Sequence, residues 1–566
     1  MKERATKFDF IFSIRRVKCD ETRPSCIKCV ATGRKCDGFP LLQESPSIGE
    51  SQALLSHTPI ACYEIPFRMP GSQRDRQLMH YFCVQGAADL SGFLPLAFWS
   101  RTVLQVSQYD DVVRQALLAL SSLQMDLGGT ASNSKNNNNN NNISSSSSSS
   151  NPASDSLASH HSVETAQTTT LARYGNVLRA LQRRIDGLPE HDNSNQSEVV
   201  KGALICCTLF YCFESALGDS KAAMRHLESG LNLLSIVHDR RRKQQRSYCS
   251  SSSSSSNGSS SSSSEGARGE FGDFLDQVYH VLSRFDMQAS FFDDARMPFL
   301  TLVSRRERAE GLGKSREDVF STPDEARLEI TRLQNWLFHL LLENITLREL
   351  PQAVIREKEK LLDEFDIWEQ RVIGMLSDKA LDTRALCGLQ ALRVQHHISR
   401  MLLASRLPDN ESVFGTVPNA TAEYILQLSA DAIRQLRCEE TGATTSRRCV
   451  FSSETGVVAP LAVLAIRCAD LSVCERAMEL LRESQRKEGL HDAVTLANIV
   501  RRLSILSQRR RSASATEAEG ASGNVIPYAT TSVEYWTADV IDQVSGGMNN
   551  LQGILDEILG HAREEV

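Results

Sequence analysis

The sequence predicts an all-α body joined by a linker to a small N-terminal metal-binding module. Three observations lead there: apolar residues recur at helical spacing along much of the chain, alternating strand patterns are scarce, and four cysteines gather within eighteen residues near the start. At 566 residues the chain exceeds what one hydrophobic core comfortably serves. Its 41% hydrophobic and 23% charged content is ordinary for a globular protein, so a sizeable core is expected between the polar tracts.

Residues 1–40 hold ten Lys/Arg against five Asp/Glu, a local +5 in a chain whose formal net charge is −6. A basic head before an acidic body points to a nucleic-acid contact at the N-terminus and argues against a uniformly basic coat. Residues 41–74 spread Pro, Ser and Gly with no sustained period and read as a linker. No heptad repeat follows the head, which removes the easiest argument for a coiled-coil dimer there. The apolar runs "ALICCTLFYCF" and "VVAPLAVLAI" fall short of the ~20 residues needed to cross a bilayer, and "FDFIF" is too short and interrupted for a secretory signal. The expectation is an intracellular protein with no membrane partner, whose fifteen cysteines serve as thiols and metal ligands.

The body, residues 75–566, reads as successive helices. In "DDVVRQALLALSSLQM", Val113, Ala116, Leu117, Leu120 and Leu123 share one face, and Asp110 or Asp111 can cap the start. "KGALICCTLFYCFESALGDSKAAMRHLESGLNLLSIV" predicts an antiparallel hairpin turning at "LGDS", with Asp219 or Ser220 as cap and Ala223, Leu227, Leu231 and Leu234 as the buried stripe. Further helices are expected over Phe274–Ser290, Glu325–Leu347, Pro351–Leu376, Leu381–Leu403, Ala422–Leu436, Val458–Arg482 and Ala538–Leu559. Low-complexity tracts at about 128–166, 246–270 and 508–530 bury too little apolar surface to offset ordering entropy, and read as disordered insertions.

Cys19, Cys26, Cys29 and Cys36 carry the clearest chemistry. Four thiols at this spacing, two of them in a C-x2-C turn, supply what tetrahedral thiolate ligation of zinc requires. Lys and Arg crowd the same stretch, so the metal module is also the basic head.

At these residues, "RRVKCDETRPSCIKCVATGRKC", the chain resembles the fungal binuclear zinc-cluster transcription factors. The four cysteines match the third to sixth of that family's six, and Pro24 and Gly33 also agree. The resemblance implies zinc as cofactor, double-stranded DNA as partner and the nucleus as location. It further implies regulation of RNA polymerase II genes, with a homodimer or other transcription regulators as possible assemblies. By position Arg16 corresponds to the main reader of a CGG triplet, with Arg15 and Lys18 beside it, while Lys28, Arg34 and Lys35 are placed for phosphate contacts. "LSGFLPLAFWSRTVLQVSQYDDVVRQALLALSSL", "GALICCTLFYCFESALGDSKAAMRHLESGLNLL", "RFDMQASFF" and "GVVAPLAVLAIRCADLSVCERAMELLRE" are similar to the helical regulatory region of the same factors.

The family's first two ligands would fall at positions 9 and 12, occupied here by Asp9 and Phe12. Phe12 cannot ligate zinc, and Asp9 is a hard donor in a soft site. Two explanations stand: a true loss of half the cluster, or a wrongly assigned first exon. The abrupt change from "KFDFIFS" to a family-matching run favours the second. True loss would leave an interaction protein acting through its helical body without direct DNA binding.

Other motifs assemble no catalytic set. "EGLGKS", Glu310–Ser315, ends like a phosphate-binding loop, but Arg308 stands where the first glycine belongs and no strand leads in. Cys206 and Cys207 sit in an apolar helix and read as core thiols. His396 and His397 lack a spaced partner and read as packing or surface residues. "HDRRRKQQR", His238 to Arg246, suits either a nuclear-import signal or a helix end. Arg509 to Arg511 precede Ser512 as a basophilic kinase requires. No enzymatic activity is expected.

Overall fold

The computed structural model describes residues 70–136, 153–186, 193–251 and 262–501, apart from short gaps at 294–295, 316–317, 345, 348, 378–380, 408–416, 441–449 and 469. The chain divides into two units, Met1–Pro59 and Ile60–Val566, and every described residue belongs to the second.

Ser72 opens the body. Its hydroxyl accepts the Asp75 amide while the Asp75 carboxylate accepts the Ser72 amide (3.2 and 2.9 Å), a reciprocal cap that starts α1 (Gln73–Tyr81) just inside the stretch expected to be linker. The helix continues through a π-helical turn, Phe82–Gly86, into α2 (Ala87–Leu90). A second π-helical turn, Phe98–Thr102, seats Trp99 in the core and leads into α3 (Val103–Tyr109). Asp110, not Asp111, caps α4 (Asp111–Asn136), because its Oδ1 accepts the amides of Val112 and Val113. Its other oxygen pairs at 2.5 Å with Arg184 of α5 (Ala153–Asp186).

The expected hairpin is α6 (Asn193–Leu217) and α7 (Ser220–Ser251). Gly218 takes φ +97° at the turn, Asp219 accepts the Ala222 amide at 2.9 Å, and Ala223, Leu227, Leu231 and Leu234 are buried. α8 (Ser262–Phe292) completes this first core, where Tyr174 stacks on Phe213 and Tyr211 on Phe285 (centroids 4.1 and 4.4 Å). By length and hydropathy Ser197–Leu217 could cross a bilayer, a longer window than the apolar run suggested. In the fold most of it is buried among α4, α7 and α8.

After α9 (Arg305–Glu310), the helices α10 (Pro323–Asn344), α11 (Gln352–Leu376) and α12 (Thr383–Arg406) enclose Trp336, Phe365 and Trp368. Neither indole is stranded: Trp368 Nε1 donates to the Ala326 carbonyl (2.9 Å) and Trp336 Nε1 to Glu357 (2.7 Å). The other face of α12 packs on α13 (Ala420–Glu440), α14 (Val458–Arg467) and α15 (Leu471–Ser484) in a further core.

The all-α expectation holds with one small addition. β1 (Val450–Ser452) runs parallel to β2 (Arg486–Glu488), which turns back into β3 (His491–Asp492), with Val450 opposite Arg486 and Lys487 opposite Asp492. Glu488, 1% exposed, accepts the amides of Gly456 and Val458 (2.8 and 2.9 Å) where α14 begins, and Arg486 Nε at 3.2 Å. Gln288 of α8 donates to Thr455 Oγ1 at 3.2 Å and accepts the Tyr211 hydroxyl at 2.6 Å. Both the amide and the hydroxyl of Ser453 donate to the Leu90 carbonyl (3.0 and 2.9 Å). These bonds fasten the first core to the rest of the body.

Two further expectations change. The single helix expected over Val458–Arg482 breaks after Arg467, because Cys468 and Asp470 are extended and Asp470 caps α15 by accepting the Ser472 amide at 3.0 Å. The polar tracts are shorter than read: residues 128–136 and 153–166 continue α4 and α5, and 246–251 and 262–270 continue α7 and α8. A helix already nucleated by a buried face extends at little cost, one hydrogen bond per residue fixed. The expected helix Ala538–Leu559 and the tract at 508–530 lie outside the described residues.

Gly489, in the β2–β3 turn, has φ +54°, and a Cβ there would stand 1.8 Å from Gln288 Oε1. Gly489→Ala should therefore destabilise the body by ~2–5 kcal/mol, combining left-handed strain and overpacking. Gly313 also has positive φ, +69°, but open space around it, so Gly313→Ala should cost only ~1–2 kcal/mol. Urea midpoints of the two variants measure the difference; equal shifts would mean that the Gln288 contact adds nothing.

Candidate zinc-dependent DNA interface

The expected ligands Cys19, Cys26, Cys29 and Cys36 and the basic residues Arg15, Arg16, Lys18, Lys28, Arg34 and Lys35 lie outside the described residues, as do Arg509 to Arg511 and Ser512. Their donor chemistry still sets a limit. Four thiolates close one tetrahedral zinc shell, whereas a two-zinc cluster needs the further pair that Asp9 and Phe12 do not supply.

Within the body, the phosphate-loop lookalike is built for something else. A helix, α9, leads into it and ends on Gly311, and α10 begins only at Pro323. The Leu312 amide, which would have to be free for a phosphate, donates to Glu364 at 2.8 Å. Arg308 is buried and lies 3.6 Å from Glu343 and 3.8 Å from Glu357. It serves as a packing cation where a nucleotide loop needs glycine.

Among the described thiols, Cys83, Cys206, Cys207 and Cys212 are equally unsuited to nucleophilic work. Cys387 donates its Sγ hydrogen to Gln435 Oε1 at 3.0 Å, and the Cys468 thiol is held below the usual range by its hydrogen bond with Cys474. Burial pushes Cys206 and Cys212 well above the usual thiol range and Cys207 and Cys83 up to about 12. Cys206 is fully buried in α6, as its apolar surroundings predicted.

The basic run His238 to Arg246 lies inside α7, which continues to Ser251, so the helix-end reading does not hold. Arg240, Arg242 and Lys243 are exposed, while His238 packs edge-on against Tyr279. His396 packs as expected, its ring stacked on Trp368 at 5.1 Å. No residue at chelating spacing in the sequence accompanies His396 and His397, but Glu369 of α11 stands beside both across the helix pair. Glu369 escaped sequence reading because it stands on a different helix.

Comparison with known proteins defines the class. Residues 13–44 match the fungal Zn(2)-Cys(6) binuclear cluster domain, and residues 77–288 match the fungal specific transcription factor domain. The chain is 28% identical over 239 residues to the aspercryptin biosynthesis cluster-specific transcription regulator atnN of Emericella nidulans, covering 39% of this chain but only 33% of that relative. It is 24% identical over 414 residues to the transcription regulator lscL of Purpureocillium lilacinum, covering 71% and 87% of the two chains. A 45-residue segment is 44% identical to the transcriptional regulatory protein moc3 of Schizosaccharomyces pombe, 8% of each. No solved structure matches. The chain thus carries, in order, a segment similar to the fungal zinc-cluster domain and one similar to the fungal transcription factor domain, and zinc is the metal of the matched cluster domain. Both matched domains are transcription-factor domains rather than enzyme domains.

At pH 8 a thiol with a pKa of about 12 is ionised to roughly one part in ten thousand. Peptides containing Cys83 and Cys207 should accordingly stay unmodified when the native protein meets iodoacetamide, and react fully in urea. Peptide mass mapping reads both states; rapid native labelling of Cys207 would show a thiolate that the burial forbids.

Proposed function

We propose that the protein regulates transcription of RNA polymerase II genes in the nucleus by binding CGG-containing double-stranded DNA through residues 1–40. Residues 41–74 connect that module to the helical regulatory body. The supporting observation is the order of matches along one chain, a zinc-cluster segment at 13–44 followed by a regulatory-domain segment at 77–288. The +5 head on an acidic chain agrees with it.

In this reading Cys19, Cys26, Cys29 and Cys36 hold zinc, which fixes the short basic segment for the major groove. Arg16 presents two coplanar donors to guanine O6 and N7, and Arg15 and Lys18 flank it. Lys28, Arg34 and Lys35 neutralise phosphates, which adds affinity without choosing sequence. The exposed Arg240, Arg242 and Lys243 of α7 suit a nuclear-import signal. Further partners would be a second copy or other transcription regulators.

A second reading rests on Asp9 and Phe12, and on the cluster match starting at residue 13, just after them. With half of the cluster absent, the body would act on other regulators without direct DNA contact.

With the cluster complete, Arg16→Ala should lose ~1–3 kcal/mol on CGG-containing DNA and far less on scrambled DNA. Lys35→Ala should weaken both alike and flatten the salt dependence. Gel-shift titrations at several salt concentrations separate the two, and equal losses on both DNAs for Arg16→Ala would remove it as base reader.

On the second reading, the chain bearing Asp9 and Phe12 should bind one zinc ion per cysteine module, loosely, and little specific DNA. The double change Asp9→Cys and Phe12→Cys should bind one more zinc ion and acquire specific affinity. Native mass spectrometry counts the metal. An unchanged count in the double variant, with DNA binding already present, would show that the two substitutions are harmless.

A further inference from the structure

Glu369 of α11 and His396 and His397 of α12 bring one ligand atom each within 4.8 Å of one another. His396 is 1% exposed, and its Nε2 lies 2.9 Å from the Phe365 carbonyl. A carbonyl only accepts, so Nε2 carries the proton and Nδ1 presents a bare lone pair. That Nδ1 faces Glu369 Oε2 at 3.6 Å, and His397 Nε2 faces Glu369 Oε1 at 3.7 Å. Glu369 Oε2, His396 Nδ1 and His397 Nε2 are all buried without a hydrogen-bond partner. An imidazole lone pair and a carboxylate oxygen turned toward each other repel unless something positive lies between them.

The surroundings fix this geometry. Glu369 Oε1 accepts Arg393 Nε and Nη2 (2.9 and 2.5 Å), and Arg393 also donates to the Tyr424 hydroxyl at 2.6 Å. The ring of His397 rests edge-on against Tyr424 of α13 at 5.3 Å, and Trp368 backs His396. A histidine that donates its far nitrogen to a backbone carbonyl is the usual outer support of a metal ligand.

We propose that Glu369, His396 and His397 form a binding site for a zinc-type divalent cation, separate from the cysteine module, that staples α11 to α12. Bond lengths of ~2.0–2.2 Å in a tetrahedral shell put ligand atoms roughly 3.3–3.6 Å apart; the two imidazole–carboxylate pairs, to different oxygens of Glu369, stand at 3.6 and 3.7 Å, and no two ligand atoms of the group are more than 4.8 Å apart, so ligation needs a shift of about 1 Å. Two imidazoles favour zinc-like metals over magnesium or calcium. Water fills the fourth position on the His397 side, where the side chain is 17% exposed. Arg393 orients the carboxylate while its charge opposes the cation, which holds the affinity below that of a site with a free carboxylate.

The test uses the full-length chain with Cys26→Ser and Cys29→Ser to silence the cysteine module, titrated with cobalt(II) and followed by visible absorption. One cobalt per chain is expected, with ligand-field bands, no thiolate-to-cobalt charge transfer, and displacement by zinc. Adding Glu369→Gln or His397→Ala should weaken binding at least tenfold with the far-ultraviolet circular dichroism unchanged, and should abolish the rise in thermal midpoint that zinc gives the parent. His397 is half-buried and its loss is compatible with folding, which keeps the comparison usable should Glu369→Gln unfold. No cobalt bound at micromolar concentration, or equal binding in a folded His397→Ala chain, overturns the proposal.

Discussion

Glu488 is a carboxylate with almost no access to water, and such a group survives in a core only when fully partnered. Its partners are the amides that open α14 and the guanidinium of Arg486, so one side chain ends the small sheet and starts a helix. Gln288 stands against the same turn and carries the connection back into α8 and to Tyr211. Arg284 adds an ion pair to Glu454 at 2.6 Å from the same helix. The helical cores are separately apolar; this polar seam helps fix their relation, beside the bonds of Arg327 to the Leu94 carbonyl and of Arg384 to the Gly92 carbonyl.

The seam also bears on where the regulatory domain stops. The family match ends at residue 288, on the glutamine that reaches across to residues 453, 455 and 488. Phe451 and Leu490, from the far end of the described chain, belong to the first hydrophobic core together with Phe82 and Trp99. Structurally the matched segment is part of a larger body, and its last helix is shared property.

Helices with a buried stripe were readable from the sequence because the stripe is local: Ala223, Leu227, Leu231 and Leu234 announce α7 without knowledge of what they pack against. Caps were readable to within a residue, since Asp110 and Asp219 each had a neighbour of similar chemistry. The strands were not readable. Three residues of β1 and three of β2 carry no period, and their pairing joins positions 36 residues apart through a helix pair. The break before α15 hid in "RCADLS", where helix-compatible residues surround the capping aspartate. Of the candidate site residues, the cysteine quartet stands out in the sequence because zinc ligands of that kind cluster along a chain. The Glu369, His396 and His397 group does not, because its members meet only once α11 and α12 pack.

The bond from Ser453 to Leu90 joins residues 363 positions apart. On a ribosome adding ~5–20 residues per second, α1 and α2 are made about 20 to 70 seconds before their last partners exist. During that interval the surfaces meant for Phe451 and Leu490 stand open. Apolar surface left open for that long is prone to pair with other chains, so the late arrival of its partners is a folding hazard separate from the stability of the finished fold.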